Sequence, residues 1–205
     1  MKCKPWAMLA AVLCLSAQEL AAQELLVDQA SGTLEEPVVN SLRIPGNQLA
    51  QSFTPFFSSV GFVQLRSLVP QPSGSSVTVV VNLRQGAYDG PVLSSTDPVI
   101  ITGFADVGTF YFSDNIPIAA GQMYFFEPVL QSLGSLEIGF NSPSTYDRGD
   151  LISNGVPSGG VADLWFREGV VVPEPSAGLL FFLSTMSVVL LLRCSGNSHR
   201  AKAFR

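Results

Sequence analysis

The stretch Ser76-Val-Thr-Val-Val-Val-Asn-Leu-Arg84 predicts the fold class of the chain. Successive side chains of an extended strand point to opposite faces, so every second residue of this stretch would share a face. One face would be apolar, formed by Val77, Val79, Val81 and Leu83. The other would carry Thr78, Val80, Asn82 and Arg84. Such alternation is typical of a strand with one buried face, which indicates an antiparallel sheet.

Short runs rich in β-branched and aromatic residues recur along the chain. They lie at 51–54, 61–68, 99–102, 109–113, 123–129, 136–140 and 162–167. Turn sequences such as Asp89-Gly90-Pro91 and Asn154-Gly155 separate them. Residues 25–172 show neither a sustained helical period nor an internal repeat, which disfavours helical and solenoid folds. We therefore predict an all-β fold over residues 23–170, an antiparallel β-sandwich with jelly-roll-like topology.

The composition of residues 23–172 excludes several kinds of chemistry. Every cysteine, histidine and lysine of the chain lies outside this interval, at Cys3, Cys14, Cys194, His199, Lys2, Lys4 and Lys202. Disulfides, zinc sites, cysteine nucleophiles, histidine bases and Schiff-base lysines are therefore excluded there. Fourteen acidic residues and five arginines give the interval a net charge of −9. Such a surface does not suit nucleic acid, and it fits an exported protein in a hydrated matrix.

Phenylalanine is abundant in the interval, and without disulfides the burial of aromatic rings must supply much of the stability. We expect the rings at alternating strand positions to form the core. The phenylalanines of the interval are Phe53, Phe56, Phe57, Phe62, Phe104, Phe110, Phe112, Phe125, Phe126, Phe140 and Phe166.

The densest polar segment, 142–155, holds candidate metal ligands. Asp147 and Asp150 offer carboxylate oxygens, and Asp163 could join them from the last predicted strand. Calcium takes about six to eight such oxygen ligands in a flexible arrangement. The spacing is not that of an EF-hand loop. Both interpretations stay open, a calcium site and an ordinary solvated turn.

Two aromatic residues bracket the same segment. Tyr146 and Trp165 could form a platform on which a sugar ring stacks, while the neighbouring carboxylates accept hydrogen bonds from hydroxyl groups. The alternative is that Trp165 packs in the sandwich or at its edge. A glycosidase would need two carboxyl groups that flank one bond, and Glu127 with Glu137 is a weak candidate pair because no shared motif joins them.

Both ends of the chain read as export signals. Lys2 and Lys4 precede the apolar run 6–16, a pattern typical of a secretory signal peptide, which we assign to residues 1–22. Cleavage after Ser16 and cleavage after Ala22 both remain open. Near the other end, residues 177–192 carry no charge, and 16 residues come close to the roughly 17–25 that a transmembrane helix needs.

A basic tail, 193–205, follows this predicted membrane span. It contains Arg193, Arg200, Lys202 and Arg205 and no acidic residue. Basic residues beside a span tend to stay in the cytoplasm, so we expect the main domain on the outer side. The alternative, a buried core helix that ends the fold, fits less well because the run is apolar on every face.

The residues Val172-Pro173-Glu174-Pro175, the span and the basic tail resemble, in that order, the PEP-CTERM sorting signal of Gram-negative bacteria. The resemblance covers 171–205. It implies processing by an exosortase, a membrane-embedded cysteine transpeptidase, with Pro173, Glu174 and Pro175 as the site that is acted on. It also implies association with exopolysaccharide and biofilm matrix. Four further segments occur in order, Gln51-Ser-Phe53, Val81-Asn-Leu-Arg84, Gly86-Ala-Tyr-Asp-Gly-Pro-Val-Leu93 and Asp163-Leu-Trp-Phe166. Through them residues 48–168 resemble, more loosely, the exported β-sandwich domains found ahead of such tails, and this implies no catalytic residues.

We therefore expect an exported, membrane-sorted structural or adhesive protein of the cell envelope or extracellular matrix, and not an enzyme. The expected partners are an exosortase, the membrane and extracellular polysaccharide, with no nucleic acid. No cofactor is expected apart from calcium at the acidic segment. The alternative function is a carbohydrate-binding module that uses Tyr146 and Trp165.

Overall fold

The computed structural model describes residues 23–35, 40–45, 48–72, 74–102 and 105–173. The predicted signal peptide, the predicted span and the basic tail lie outside these residues, as do Glu174 and Pro175. Residues Leu25–Val171 form one compact unit. Among the described residues, no helix has the length and apolar character that a membrane crossing requires.

Fourteen strands make up the described part of the chain. They are β1 (Gln23–Ser31), β2 (Asn40–Ile44), β3 (Leu49–Phe53), β4 (Ser59–Gln71), β5 (Ser76–Gln85), β6 (Val92–Ser95), β7 (Val99–Thr102), β8 (Ala105–Pro117), β9 (Tyr124–Leu130), β10 (Ser135–Asn141), β11 (Leu151–Ser153), β12 (Val156–Pro157), β13 (Asp163–Leu164) and β14 (Phe166–Pro173).

The strands form two seven-stranded sheets. The first has the order β1-β14-β4-β10-β13, with β8 paired to β4 and β2 paired to β10. The second has the order β12-β11-β3-β9-β5-β6, with β7 also paired to β5. The strand pairs have antiparallel registers, for example β5 with β9 and β4 with β8. The predicted all-β, antiparallel fold is confirmed.

Five of the strand pairings are nested along the chain, in four levels. From the outside inward, β2 pairs with β10, β3 with β9, β4 with β8, and β5 with β6 and β7. Consecutive pairs alternate between the first and the second sheet. The chain therefore follows the path of one long hairpin whose two arms are wrapped across both sheets.

The apolar faces of both sheets contribute to one core. In β5 the alternating residues Val77, Val79, Val81 and Leu83 are at most 1% exposed, as their period predicts. The rings of Phe126 in β9 and Phe166 in β14 lie 5.0 Å apart, centroid to centroid, and so join the second sheet to the first. A core shared in this way is consistent with a β-sandwich.

The prediction is confirmed for most phenylalanines that lie in strands, while Phe140 is half-buried and Phe104 lies outside the described residues. Seven of the rings are buried, at Phe53, Phe62, Phe110, Phe112, Phe125, Phe126 and Phe166. Phe56, in contrast, is 66% exposed. It lies between β3 and β4, outside any strand, so no alternation fixes its direction.

Candidate functional site

Asp163, one of the three residues predicted to bind calcium, is fully buried in β13. Its Oδ1 accepts a hydrogen bond from Gln51 Nε2 at 3.0 Å. Its Oδ2 accepts from the Ser144 hydroxyl and from the backbone N–H groups of Thr145 (3.2 Å) and Tyr146 (3.0 Å). Both oxygens are therefore used inside the protein, where they fasten the segment after β10 to β3.

Asp150 has a similar role at the other end of the segment. One of its oxygens accepts from the backbone N–H of Gly159 at 2.8 Å, and the other from the Ser158 hydroxyl and the N–H of Gly160 at 3.3 Å. Both glycines have a positive φ, which a glycine adopts without steric cost. The carboxylate thus holds together the turn that leads into β13.

The predicted calcium site is not assembled by these residues. Asp147 is exposed, while the oxygens of Asp150 and Asp163 already accept N–H and O–H donors. Within the described ranges, no three histidine, cysteine or acidic side chains are grouped so that they could hold a metal ion.

Tyr146 and Trp165 lie inside the protein, and neither presents a ring face to solvent. Trp165 is 0% exposed and donates from its indole N–H to the Thr33 carbonyl at 3.2 Å. Tyr146 is 5% exposed and packs edge-on against Phe166, with centroids 5.1 Å apart. A stacking platform needs an exposed face, so the expectation that these two rings form one is not met. The alternative interpretation, that Trp165 packs in the sandwich or at its edge, is confirmed in that the ring is buried, and it lies beside Gly32, Thr33 and Arg66 rather than in the hydrophobic core cluster.

Glu127 and Glu137, the candidate pair for a glycosidase, lie on different sheets. Glu127 in β9 forms a nearly buried ion pair with Arg84, at 2.8 Å. Glu137 in β10 forms a more exposed ion pair with Arg43, at 3.0 Å. Each carboxylate is held by its own arginine, so the two do not flank a common space as a glycosidase mechanism requires.

Glu168 in β14 is a buried acid that the sequence analysis missed. It is 0% exposed, and neither of its carboxyl oxygens has a hydrogen-bond partner among the described residues. Burial raises the pKa of Glu168 to about 9, and the nearby charge of Asp28 adds to this shift. The signal in the sequence was its spacing, because Glu168 is two residues from Phe166 and so shares its inward face.

Phe56 and Arg148 form a second feature that the sequence did not reveal. The guanidinium carbon of Arg148 lies 3.7 Å from the centroid of the Phe56 ring. No carboxylate of the described residues lies within ion-pair distance of Arg148, whereas Arg43, Arg66 and Arg84 each have one. The ring also borders an open groove of about 410 Å³, lined by Leu26, Phe56, Phe57, Ser58, Ser59 and Val170.

The predicted sorting motif begins where the last strand ends. β14 runs to Pro173, so the first proline of Pro173-Glu174-Pro175 belongs to the strand. The backbone of Val171, two residues earlier, is bonded on both its N–H and its carbonyl by the side chain of Asn115. Glu174 and Pro175 lie outside the described residues.

Neither the known protein-family models nor the curated proteins contain a match to the sequence of this chain.

Proposed function

We propose that this chain is an exported protein of a Gram-negative bacterium, sorted to the membrane by its last 35 residues and processed there by an exosortase. The domain in front of that signal would serve as a structural or adhesive component of the cell envelope or the extracellular matrix. The observation that carries the proposal is the order of three parts in the sequence. Val172-Pro173-Glu174-Pro175 is followed by the apolar run 177–192 and then by the basic tail 193–205.

Each part of the signal has a separate physical role. The apolar run is the membrane anchor, and the basic tail keeps its end on the cytoplasmic side. Proline fixes its own φ and biases the residue before it away from the helical region. Glu174, between two prolines, is therefore biased toward an extended conformation, which suits the cleft of a processing enzyme.

The proposed domain is a β-sandwich of jelly-roll-like topology, and two observations support it. The first is the nesting of the four pairs β2–β10, β3–β9, β4–β8 and β5–β6, which a long hairpin wrapped across two sheets produces. The second is that the compact unit ends at Val171, where the predicted sorting signal begins. A compact module of this kind fits a surface or matrix component.

A fusion experiment tests the sorting function. Residues 171–205 would be fused to an exported reporter and expressed in hosts with and without an exosortase. We expect membrane retention in both hosts and cutting only in the first. Replacing Pro173 and Pro175 with Ala should leave retention intact and stop the cutting. Free secretion of the fusion from the host without exosortase would show that 177–192 is not an anchor.

A second candidate function, carbohydrate binding, is favoured by the Phe56–Arg148 pair and not by the residues first expected. The exposed Phe56 ring would pack against the apolar face of a sugar, and the guanidinium of Arg148 would pair with the carboxylate of an acidic sugar. Affinity electrophoresis in polygalacturonate and in dextran tests this. We expect Phe56→Ala to abolish retardation by polygalacturonate, while Met123→Ala, which removes a side chain that is 50% exposed, should not. If the wild type, Phe56→Ala and Met123→Ala all migrated equally in both gels, carbohydrate binding by the Phe56–Arg148 pair would be ruled out.

A further inference from the structure

On the edge of β14 that faces β4, a side chain holds the last part of the strand beyond the pairs of the sheet ladder, while the other edge pairs with β1. The β14–β4 register pairs Phe166 with Leu65 and runs to Gly169 opposite Phe62. At Val171, two residues further on, Asn115 Nδ2 donates to the carbonyl at 3.0 Å, and the Val171 N–H donates to Asn115 Oδ1 at 3.0 Å. We call this two-bond contact the Asn115 clasp.

Asn115 reaches Val171 across β4 because the residue of β4 that lies between them, Gly61, has no side chain. β4 is bordered by β8, which carries Asn115, on one edge and by β14 on the other. The β4–β8 register shifts between Val60 and Phe62, so β8 has extra residues opposite Gly61. A β-carbon at Gly61 would overlap the Asn115 amide oxygen and come within 2.9 Å of the Val171 nitrogen. The clasp therefore depends on glycine at this position.

We propose that the Asn115 clasp restrains the residues directly before the sorting motif, and that its opening limits how fast the motif is processed. This inference rests on the proposed function. An enzyme that binds an extended segment pairs with its backbone N–H and carbonyl groups, as in the addition of a strand to a sheet. Both groups of Val171 are occupied by Asn115. The enzyme therefore gains full access to the segment around Pro173 only after the clasp opens, and Asn115 is a positioning residue.

The test compares full-length variants in an exosortase-bearing host, with the cut form followed by pulse-chase. Asn115→Ala removes both bonds of an exposed side chain, so the domain should still fold. We expect processing to become about five- to hundredfold faster, the range that the loss of two hydrogen bonds provides. Asp114→Ala is the matched control. It removes an exposed neighbour in β8 for which the described residues show no bond to β14, and it should be processed at the wild-type rate.

A second variant and a second measurement separate the clasp from general destabilisation. Gly61→Ala displaces Asn115 sterically and should also speed processing. Amide exchange at Val171 in the full chain should be fast in both clasp variants and slow in the wild type and in Asp114→Ala. If the wild type is cut but Asn115→Ala is cut at the same rate as Asp114→Ala, the clasp inference alone is wrong. If the wild type is never cut in this host, the proposed function fails and the inference with it.

Discussion

The side chain of Gln51 in β3 bonds the buried carboxylate of Asp163 in β13 and thereby joins the second sheet to the first. Gln51 Nε2 donates to Asp163 Oδ1 at 3.0 Å, and Gln51 Oε1 accepts from the Leu164 N–H at 2.8 Å. Gln51 and Asp163 are both 0% exposed. A buried polar group stabilises a protein only when it is bonded, and this pair satisfies that condition with neighbouring backbone groups.

Replacing Asp163 with Ala should destabilise the domain severely. The change removes the acceptor of the buried Tyr146 N–H and of the Thr145 N–H, and it leaves the Gln51 amide with only the Ser52 carbonyl as an acceptor. We expect a loss of about 3–5 kcal/mol in the free energy of unfolding, since each unsatisfied buried donor costs about 1–3 kcal/mol. Urea denaturation of residues 23–173 measures it. Asp147→Ala, at an exposed position, should change stability by less than about 0.5 kcal/mol. A small effect of Asp163→Ala would contradict the assigned role.

Calcium should not stabilise the domain. Asp163 and Asp150 already accept internal donors, so no free carboxylate set remains for the ion. We expect the melting temperature of residues 23–173 to be the same with millimolar calcium and with a chelator. A rise with calcium would mean that the acidic segment rearranges into a site, because a ligand that binds only the native state stabilises it.

Trp165→Ala should cost about 3–5 kcal/mol of stability, as expected when a large buried ring is removed. The ring is fully buried, its N–H bonds Thr33, and the Arg66 guanidinium carbon lies 5.4 Å from its centroid. Phe56→Ala is the matched control, because it removes an aromatic ring that is 66% exposed. Thermal unfolding of both variants measures the difference. Equal melting temperatures of Trp165→Ala and Phe56→Ala would show that the burial of Trp165 does not stabilise the domain.

The stability of the domain should fall as the pH rises, and Glu168 is the cause. Burial raises the pKa of Glu168 to about 9, against 4.5 in an unperturbed side chain. Below about pH 4.5 the acid is protonated in both states, and between that pH and about 9 only the unfolded state ionises. Stability is therefore lost through this window, at up to about 1.4 kcal/mol per pH unit. Glu168→Gln should remove that slope and be more stable than the wild type at pH 8. If the free energies of unfolding of the wild type and of Glu168→Gln changed in the same way with pH, this account would be contradicted.

The sequence predicted the strands whose own residues determine them. β5 and β7 were found almost to the residue, because an alternating or apolar run marks each of them. β1, β2, β6, β11 and β12 were missed. Three of these are four residues or shorter, and β11 and β12 hold their places partly through bonds from distant segments, such as the Asn154 N–H to the Gln48 carbonyl. A few neighbouring residues in the sequence give no information about partners that lie far away along the chain, so these strands could not be predicted from them.

The candidate site was less predictable than the fold. The sequence grouped three aspartates by their chemistry, Asp147, Asp150 and Asp163. The donors to Asp163 from β3 and to Asp150 from the turn at Ser158–Gly160 come from outside that segment, and residue spacing does not reveal them. Trp165 was assigned two roles because its partners, Thr33 and Arg66, are far away in the sequence. The contact of Arg148 with Phe56 depends on which arginines pair with carboxylates among the described residues, and the folded sheets determine those pairs.

The intact mass of the mature protein is the most direct test of the sorting proposal. The full chain would be expressed in one host with an exosortase and in an otherwise identical host without it, and both products purified from the cell envelope or medium. We predict that the exosortase-bearing host yields a product that ends near Pro173–Pro175 and lacks 177–205, while the other host yields a chain that extends to Arg205. The same C-terminus at Arg205 in both hosts would contradict the account.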